Sequence, residues 1–430
     1  MEIASIYQLF KQYPVVTTDT RNIPANSIFF SLKGEKFNGN SFASEALQKG
    51  AAYAVIDEAA YAVSDRMILV DDVLKCLQQL ANYHRRELKI PVFAITGTNG
   101  KTTTKELIAA VLAKRYRIHF TQGNLNNHIG VPLTLLSMTS QTEMAIIEMG
   151  ANHPGEIRML CEIADPDFGL VTNMGKAHLE GFGSFEGVIK TKSEMYDYLR
   201  QKGGKCFINA DNPLLIKQAG ILEQITYGKT SGCYLMGELA STEYHLVVKA
   251  LFPKGWLYLK SKLIGDYNFE NLLAAACVGK YFEVDPLLIQ KALEEYTPSN
   301  NRSQLIKGES NTIIMDAYNA NPTSMMMALT NFVGINNDNK CLILGDMLEL
   351  GEVSDAEHQK IVDYIEANTF PEVMLVGPQF KKTTAGQEKK KFDNVELLFN
   401  YLQTHPVNNK LILVKGSRGI HLEKILELIA

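Results

Sequence analysis

Thr96-Gly97-Thr98-Asn99-Gly100-Lys101-Thr102-Thr103-Thr104 is the stretch on which the reading of this chain turns. It follows the apolar run Ile90-Pro91-Val92-Phe93-Ala94-Ile95, which reads as a buried parallel strand, and it precedes Lys105 to Lys114, which reads as a helix. Strand, glycine turn and helix together make a phosphate cradle. Glycines let backbone N–H groups approach an anion, and the helix N-terminus adds its dipole. Gly97, Thr98, Asn99, Gly100, Lys101, Thr102 and Thr103 are therefore the expected contacts of a nucleoside triphosphate. Lys101 would reach the β- and γ-phosphates and the Thr102 hydroxyl would hold Mg²⁺. The general P-loop has a glycine at the place held here by Ile95. A plain turn with a surface lysine is the alternative; Gly-Lys-Thr between strand and helix favours the nucleotide.

A chain of 430 residues exceeds one core and implies several domains. With 46% hydrophobic and 21% charged residues it has a soluble globular composition. A net charge of -4, with no long basic run, argues against a nucleic-acid partner. The start Met1-Glu2-Ile3-Ala4-Ser5 does not resemble a signal peptide, and no apolar run is long enough for a bilayer span, so a cytoplasmic location is expected. The six cysteines are scattered without a Cys-x-x-Cys pair, as suits reduced thiols rather than a metal site.

The expected class is α/β in three domains. Residues 1–86 form a smaller α/β unit, with strands at Ser27–Leu32 and Ala51–Ile56 around a helix at Ser41–Lys49. The charged stretch Asn82–Lys89 marks its boundary. Residues 87–300 form a central P-loop domain, with strands at Met144–Met149 and Phe168–Asn173, a helix at Ser184–Arg200 and a β-like stretch at Tyr244–Leu259. The turn-rich Tyr296–Asn301 marks the second boundary. Residues 301–430 repeat a βα rhythm, with strands at Ile313–Tyr318, Cys341–Gly345, Val373–Gly377 and Leu411–Lys415, the pattern of a doubly wound Rossmann-like domain.

Polar residues at the C-terminal ends of these strands are where open α/β sheets bind ligands. Glu148 ends an apolar strand just after the P-loop unit, as a Walker B acid on Mg²⁺ does. His178 lies in a loop after a strand and could join Glu148 around a second cation. Lys192 lies on a helix; an ammonium beside Mg²⁺ makes sense only if its charge is inverted, as by carbamylation. Asn268 and Asn271 share a helix face, where capping is the plainer role. Asp316 ends a strand and can bind ribose hydroxyls, while Asn319 and Asn321 form an Asn-rich turn before Pro322 that could equally be a plain helix start. Lys415-Gly416-Ser417-Arg418-Gly419 suits an anion or carboxylate, or is a plain turn.

Taken together these residues resemble the Mur ligase family across essentially the whole chain. The P-loop variant is the family's own form. Asp19-Thr20-Arg21, Asn124 to Pro132, Glu148 to Asn152, Ala177 to Ser184, Asp316 to Pro322 and Gly345 to Gly351 also carry the resemblance. It implies a first domain for a UDP end, a central ATPase, and a last domain that closes over the site. It implies ATP-driven amide-bond formation between a UDP-N-acetylmuramoyl-tripeptide and D-alanyl-D-alanine, by a monomer using ATP and Mg²⁺. The implied catalytic residues are Lys101, His178 and Lys192. Thr102 and Glu148 would bind one metal ion, with a second near His178 and carbamylated Lys192. Adenine would lie near Asn268 and Asn271, ribose at Asp316, and Arg302 would face the phosphates. Thr20, Arg21, Asn126, Asn127, Asn319, Asn321, Ser417 and Arg418 would contact substrates.

Two departures from the family pattern stand out. Phe37-Asn38-Gly39-Asn40 replaces the usual Phe-Asp-Gly-His, and Ala317 stands where serine is common. The Asp-Asn-Pro-Arg of the sister ligase that adds the third amino acid is missing. Rival readings are a ligase adding a single amino acid, a folate polyglutamylating ligase, and a P-loop switch without amide chemistry.

Overall fold

Val92–Thr96 is the strand around which the rest of the chain is laid. The computed structural model describes residues 2–242, 245–298, 302–384, 386 and 389–430. In the central sheet Val92–Thr96 pairs in parallel with Met144–Glu148 on one side and Phe168–Val171 on the other. All five of its residues are buried, which is why it reads as a continuous apolar run. Nine strands make this sheet. From Val92–Thr96 it runs outward through Met144–Glu148 to Ile118–Phe120, and in the other direction through Phe168–Val171, Lys205–Asn209, Glu223–Gly228 and Leu235–Ser241. Val247–Phe252 and Gly255–Lys260 then add an antiparallel extension. The β-like stretch expected from Tyr244 is this extension; Tyr244 itself lies outside the described residues.

Helices cover both faces. The P-loop helix spans Lys101–Leu112, starting at Lys101 rather than Lys105. It packs on Phe269–Tyr281, whose buried Ala274, Ala275 and Ala276 allow the close approach. The opposite face carries Glu156–Ala164 and Phe185–Lys202. The first residues build a four-stranded parallel sheet from Val15–Thr17, Ser27–Phe30, Tyr53–Ile56 and Met67–Leu69. In it Asn40, from the departure noted above, is buried and donates to Asp57 Oδ1 at 2.8 Å.

The charged stretch Asn82–Lys89, at the expected domain boundary, is regular secondary structure. It forms the last turns of a helix, Val73–Leu88, closed by Lys89 in the left-handed region at φ 53°. That helix joins the first sheet to the central domain through one apolar core containing Phe10, Leu77, Leu80, Leu160 and Met195. Its polar residues are fitted to the same junction. Arg85 is buried, donates to the Ala164 carbonyl at 3.1 Å and pairs with Asp167 at 2.6 Å. Asp167 in turn accepts from the Val92 amide at 2.9 Å, so the junction reaches the start of the P-loop strand.

The last part is a six-stranded sheet, in order Gln304–Lys307, Thr312–Asp316, Leu411–Lys415, Lys340–Gly345, Glu372–Val376 and Lys390–Phe392. Only Gln304–Lys307 runs antiparallel to its neighbour. Apolar cores flank it on both faces, giving the expected doubly wound arrangement. Pairing of Thr312–Asp316 with Leu411–Lys415 sets Asp316 opposite Lys415 at the C-terminal edge. Of the turn-rich boundary, Tyr296 donates to Glu106 at 2.7 Å, and Ser299, Asn300 and Asn301 lie outside the described residues. All six cysteines are free, and five are buried. Among the described residues no helix is long and apolar enough to cross a membrane.

Arg85→Ala removes the ion pair with Asp167 and leaves the Ala164 carbonyl without its Arg85 donor at the junction. It should cost on the order of 2 kcal/mol of stability, read from the urea midpoint with an unchanged slope.

Candidate active site

A cleft of about 460 Å³ opens where the C-terminal edges of the central and last sheets face each other. Its floor is the loop Gly97–Gly100. Gly97 has φ 143°, and a Cβ there would lie 1.9 Å from Thr172 Oγ1. Gly100 has φ 79°, and its Cβ would lie 2.7 Å from Asn271 Oδ1. Only glycine lets the loop turn this sharply against its neighbours. The neighbouring strand end holds it in shape. Thr172 Oγ1 donates to the Asn99 carbonyl at 2.6 Å, the Asn99 amide donates to Asn173 Oδ1 at 3.0 Å, and the Thr98 amide to the Asn173 carbonyl at 2.9 Å.

Lys101 is half-buried and folds over the loop, donating to the carbonyls of Gly97 at 2.7 Å and Thr98 at 3.0 Å. Burial brings its pKa down to about 8; the Glu148 charge opposes this and Arg302 reinforces it. Thr102 Oγ1 donates to Glu148 Oε1 at 3.1 Å, and Asn126 Nδ2 donates to the same oxygen at 2.9 Å. Glu148 Oε2 is buried, has no hydrogen-bond partner, and faces Lys105 Nζ at 3.6 Å. Asn271 Oδ1 accepts from Thr104 at 3.0 Å while its amide donates to Asn268 Oδ1 at 2.9 Å. The opposite wall comes from the last domain. Asp316 accepts from the buried Lys415 at 2.6 Å, and Arg302 stacks on the Tyr318 ring at 3.7 Å. The two walls meet directly, with Asn321 Nδ2 donating to Asn99 Oδ1 at 2.8 Å and Tyr267 and Ser303 hydroxyls 2.9 Å apart.

The structure brings together in this cleft Thr98, Asn99, Gly100, Lys101, Thr102, Thr103, Asn126, Asn127, Glu148, His178, Asn268, Asn271, Arg302, Asp316 and Asn319. Gly97 lies beneath the loop. Lys192 does not line the cleft. It is buried on the helix Phe185–Lys202, with Nζ 5.6 Å from the Phe182 ring, against whose face His178 also sits edge-on. Burial, and then the charge of Lys101, hold its pKa well below the usual lysine range. Asn321 and Ser417 are structural in this arrangement. Asn321 caps the helix Pro322–Gly334 with a full capping box, and Ser417 Oγ accepts from the Leu348 amide at 3.0 Å. Arg418 stands outside the lining but 5.3 Å from the Tyr318 ring. Thr20 and Arg21 lie on the first domain, away from the lining, with Arg21 pairing with Asp19 at 2.8 Å.

The chain matches the Mur ligase catalytic domain over residues 12–85, the Mur ligase middle domain over 95–279 and the Mur ligase glutamate ligase domain over 301–418. It is 36% identical to the UDP-N-acetylmuramoyl-tripeptide–D-alanyl-D-alanine ligase of Bacillus subtilis, covering 96% of this chain and 92% of that one. The chain belongs to the Mur ligase family. Among solved structures, MurF from Acinetobacter baumannii superposes with a TM-score of 0.86 at 27% identity, covering 98% of this chain and 97% of that one. The MurF ligase from Thermotoga maritima in complex with ADP gives 0.85 at 26% identity, covering 96% of each chain.

Several residues of this Mur ligase cleft had no separate signal in the sequence. Lys105 reads as an ordinary lysine just after the P-loop, yet it is 1% exposed and faces Glu148. A lysine on the buried side of an otherwise apolar helix could have flagged it. Tyr318 and Lys415 belong to stretches that were singled out, but stacking and the ion pair with Asp316 need the folded sheet. Gly100→Ala would put a Cβ in left-handed backbone and press it on the buried Asn271. It should lower turnover on the order of a hundredfold and also lower the melting temperature by a few degrees.

Proposed function

We infer that this chain is an ATP-dependent ligase that joins D-alanyl-D-alanine to UDP-N-acetylmuramoyl-tripeptide. ADP and phosphate are released, and the reaction belongs to the cytoplasmic stage of peptidoglycan precursor synthesis. The observation that carries the reading is end-to-end similarity to a ligase of that name, 36% identical over 96% of the chain. The two-walled cleft is in keeping with it. We assign residues 1–86 to the UDP end, with Thr20 and Arg21 as contacts, 87–300 to ATP, and 301–430 to closure and the incoming dipeptide. We take the chain to act as a monomer.

The tripeptide carboxylate attacks the γ-phosphorus, ADP leaves, and an acyl phosphate forms. The dipeptide amine then attacks the acyl carbon, and the tetrahedral intermediate expels phosphate as the amide forms. The first step brings two anions together. Lys101 on one wall and Arg302 on the other supply the opposing charge. Lys101 exchanges the Gly97 and Thr98 carbonyls for phosphate oxygens, and stacking on Tyr318 keeps Arg302 extended into the cleft. Asn268 and Asn271 flank the adenine, Asp316 takes the ribose, and Asn126 and Asn127 orient the acceptor. Asn319, Ser417 and Arg418 surround the dipeptide, Ser417 and the capping Asn321 by shaping their loops.

The donor set suits a hard divalent cation, because Glu148 Oε2 is buried and, among the described residues, makes no hydrogen bond, while Oε1 accepts from the Thr102 hydroxyl. Thr102 and Glu148 would hold one Mg²⁺, and His178 with Lys192 as a carbamate a second; such ions neutralise phosphate charge. Carbamylation needs a neutral amine, which adds CO₂ and loses a proton. Burial favours that neutral form at Lys192.

Mass spectrometry of products from a panel of UDP-muramoyl peptides tests the reading. One acceptor should gain D-alanyl-D-alanine; gain of a single amino acid, or of nothing, would overturn it. Lys101→Ala should fold normally and lose on the order of a thousandfold in turnover. Its pKa of about 8 adds a sign. Phosphate binding favours the charged ammonium, so above pH 8 nucleotide binding should take up a proton and weaken as pH rises. Calorimetry in buffers of different ionisation heat checks this. Lys192→Ala should be nearly inactive and be partly rescued by short carboxylates; absence of rescue speaks against the carbamate.

A further inference from the structure

Two non-glycine residues in the left-handed backbone region face each other across the seam between the central and last domains. His178 has φ 49° and Glu349 has φ 62°, and the Glu349 carboxylate contacts His178 Nδ1. Left-handed backbone is unfavourable for such residues and persists where surrounding contacts impose it. On the Glu349 side these contacts are plain. Met347 and Leu350 flank it and are buried. The Met347 amide donates to His358 Nε2 at 3.0 Å, and the Leu348 amide donates to Ser417 Oγ at 3.0 Å. His358 is itself fully buried, with Nδ1 2.7 Å from the Ser354 carbonyl. The loop is therefore held at both flanks while the Glu349 side chain remains 57% exposed. A loop anchored by these contacts presents an exposed carboxylate to the other domain.

The seam around this contact is close but thin. Gly351 lies against Glu180, so that a Cβ there would come within 3.5 Å of the Glu180 Cβ, and Lys176 Nζ stands 4.0 Å from Glu357. Pairs this exposed contribute little to stability. Such a contact can be made and broken as the domains meet and part, and it touches a residue that lines the cleft.

We propose that Glu349 is a positioning residue that latches the last domain onto His178, so that domain docking and imidazole orientation are one event. In this arrangement Nδ1 touches the carboxylate without an aligned hydrogen bond. Once aligned on docking, Nδ1–H donating to it would fix the tautomer and leave Nε2 its lone pair for the cleft. The proposal rests on the ligase reading above and adds a residue that the cleft lining does not contain.

The test uses the full chain and compares wild type with Glu349→Ala and Glu349→Gln. Glu349→Ala should lower kcat about tenfold, the scale seen when an orienting partner of a histidine is lost. The KM for ATP should stay within about twofold, because the P-loop is untouched. Glu349→Gln keeps an oxygen that can accept from Nδ1–H and should recover most of the loss. Small-angle scattering with ADP and the UDP-muramoyl tripeptide supplies a readout without turnover. Wild type and Glu349→Gln should contract on loading, and Glu349→Ala should contract less. Wild-type kcat and wild-type contraction in Glu349→Ala would overturn the latch, as would equal losses in the Ala and Gln variants. A wild-type protein that makes no product would sink the ligase reading, and the scattering comparison would still decide the latch.

Discussion

Glu148 is a carboxylate with 1% exposure, set at the end of the strand beside the P-loop. Removing an ion from water costs several kcal/mol, and only excellent local partners make that tolerable. Here one oxygen accepts from Thr102 and Asn126, and the other faces Lys105 with no hydrogen bond of its own. These partners come from the P-loop helix and from the loop before the helix Gly130–Leu136. Holding one buried charge thus fixes three pieces of the central domain relative to each other. The same charge counters the burial that lowers the pKa of Lys101. The half-satisfied carboxylate makes the floor of the cleft a site for cationic groups, and the P-loop amides beside it a site for anionic ones.

The second wall follows from a different sheet. The register of Thr312–Asp316 against Leu411–Lys415 puts Asp316 and Lys415 side by side, and Tyr318 just beyond supports Arg302. Neither wall alone has both the phosphate loop and the opposing guanidinium. The polar contacts that unite them include Asn99 with Asn321, Tyr267 with Ser303, His178 with Glu349 and Lys176 with Glu357. Interfaces of this kind are held weakly enough to open for substrate and are specific enough to close in one register.

Much of this was legible before any coordinates. The P-loop, Glu148, Asp316 and the four central strands of the last sheet lie in buried strands followed directly by polar turns, a pattern that sequence periodicity carries well. The edge strands Gln304–Lys307 and Lys390–Phe392 went unread because they are short and rich in polar residues, and their pairing comes from the neighbour rather than from their own pattern. The charges of Asn82–Lys89 marked a boundary but not the packing there, because Arg85 is buried by an ion pair with a residue far away in sequence. Lys105 and Glu349 were not singled out for the same reason: their surroundings depend on burial or on a partner domain, and a lysine or glutamate on a helix or loop is ordinarily a solvated one. The cap at Asn321 is local, made with Ser324, and a helix start there was legible; the role of Ser417 as a loop anchor emerges only from a hydrogen bond across the fold.

The central claim is that this cleft lets the acceptor carboxylate attack the γ-phosphate of ATP, so that one carboxylate oxygen departs with the phosphate. Acceptor tripeptide labelled with ¹⁸O in its terminal carboxylate measures this directly. The account predicts one ¹⁸O in each inorganic phosphate released during ligation to D-alanyl-D-alanine. Phosphate free of label, with the dipeptide adduct formed at the normal rate, would contradict it.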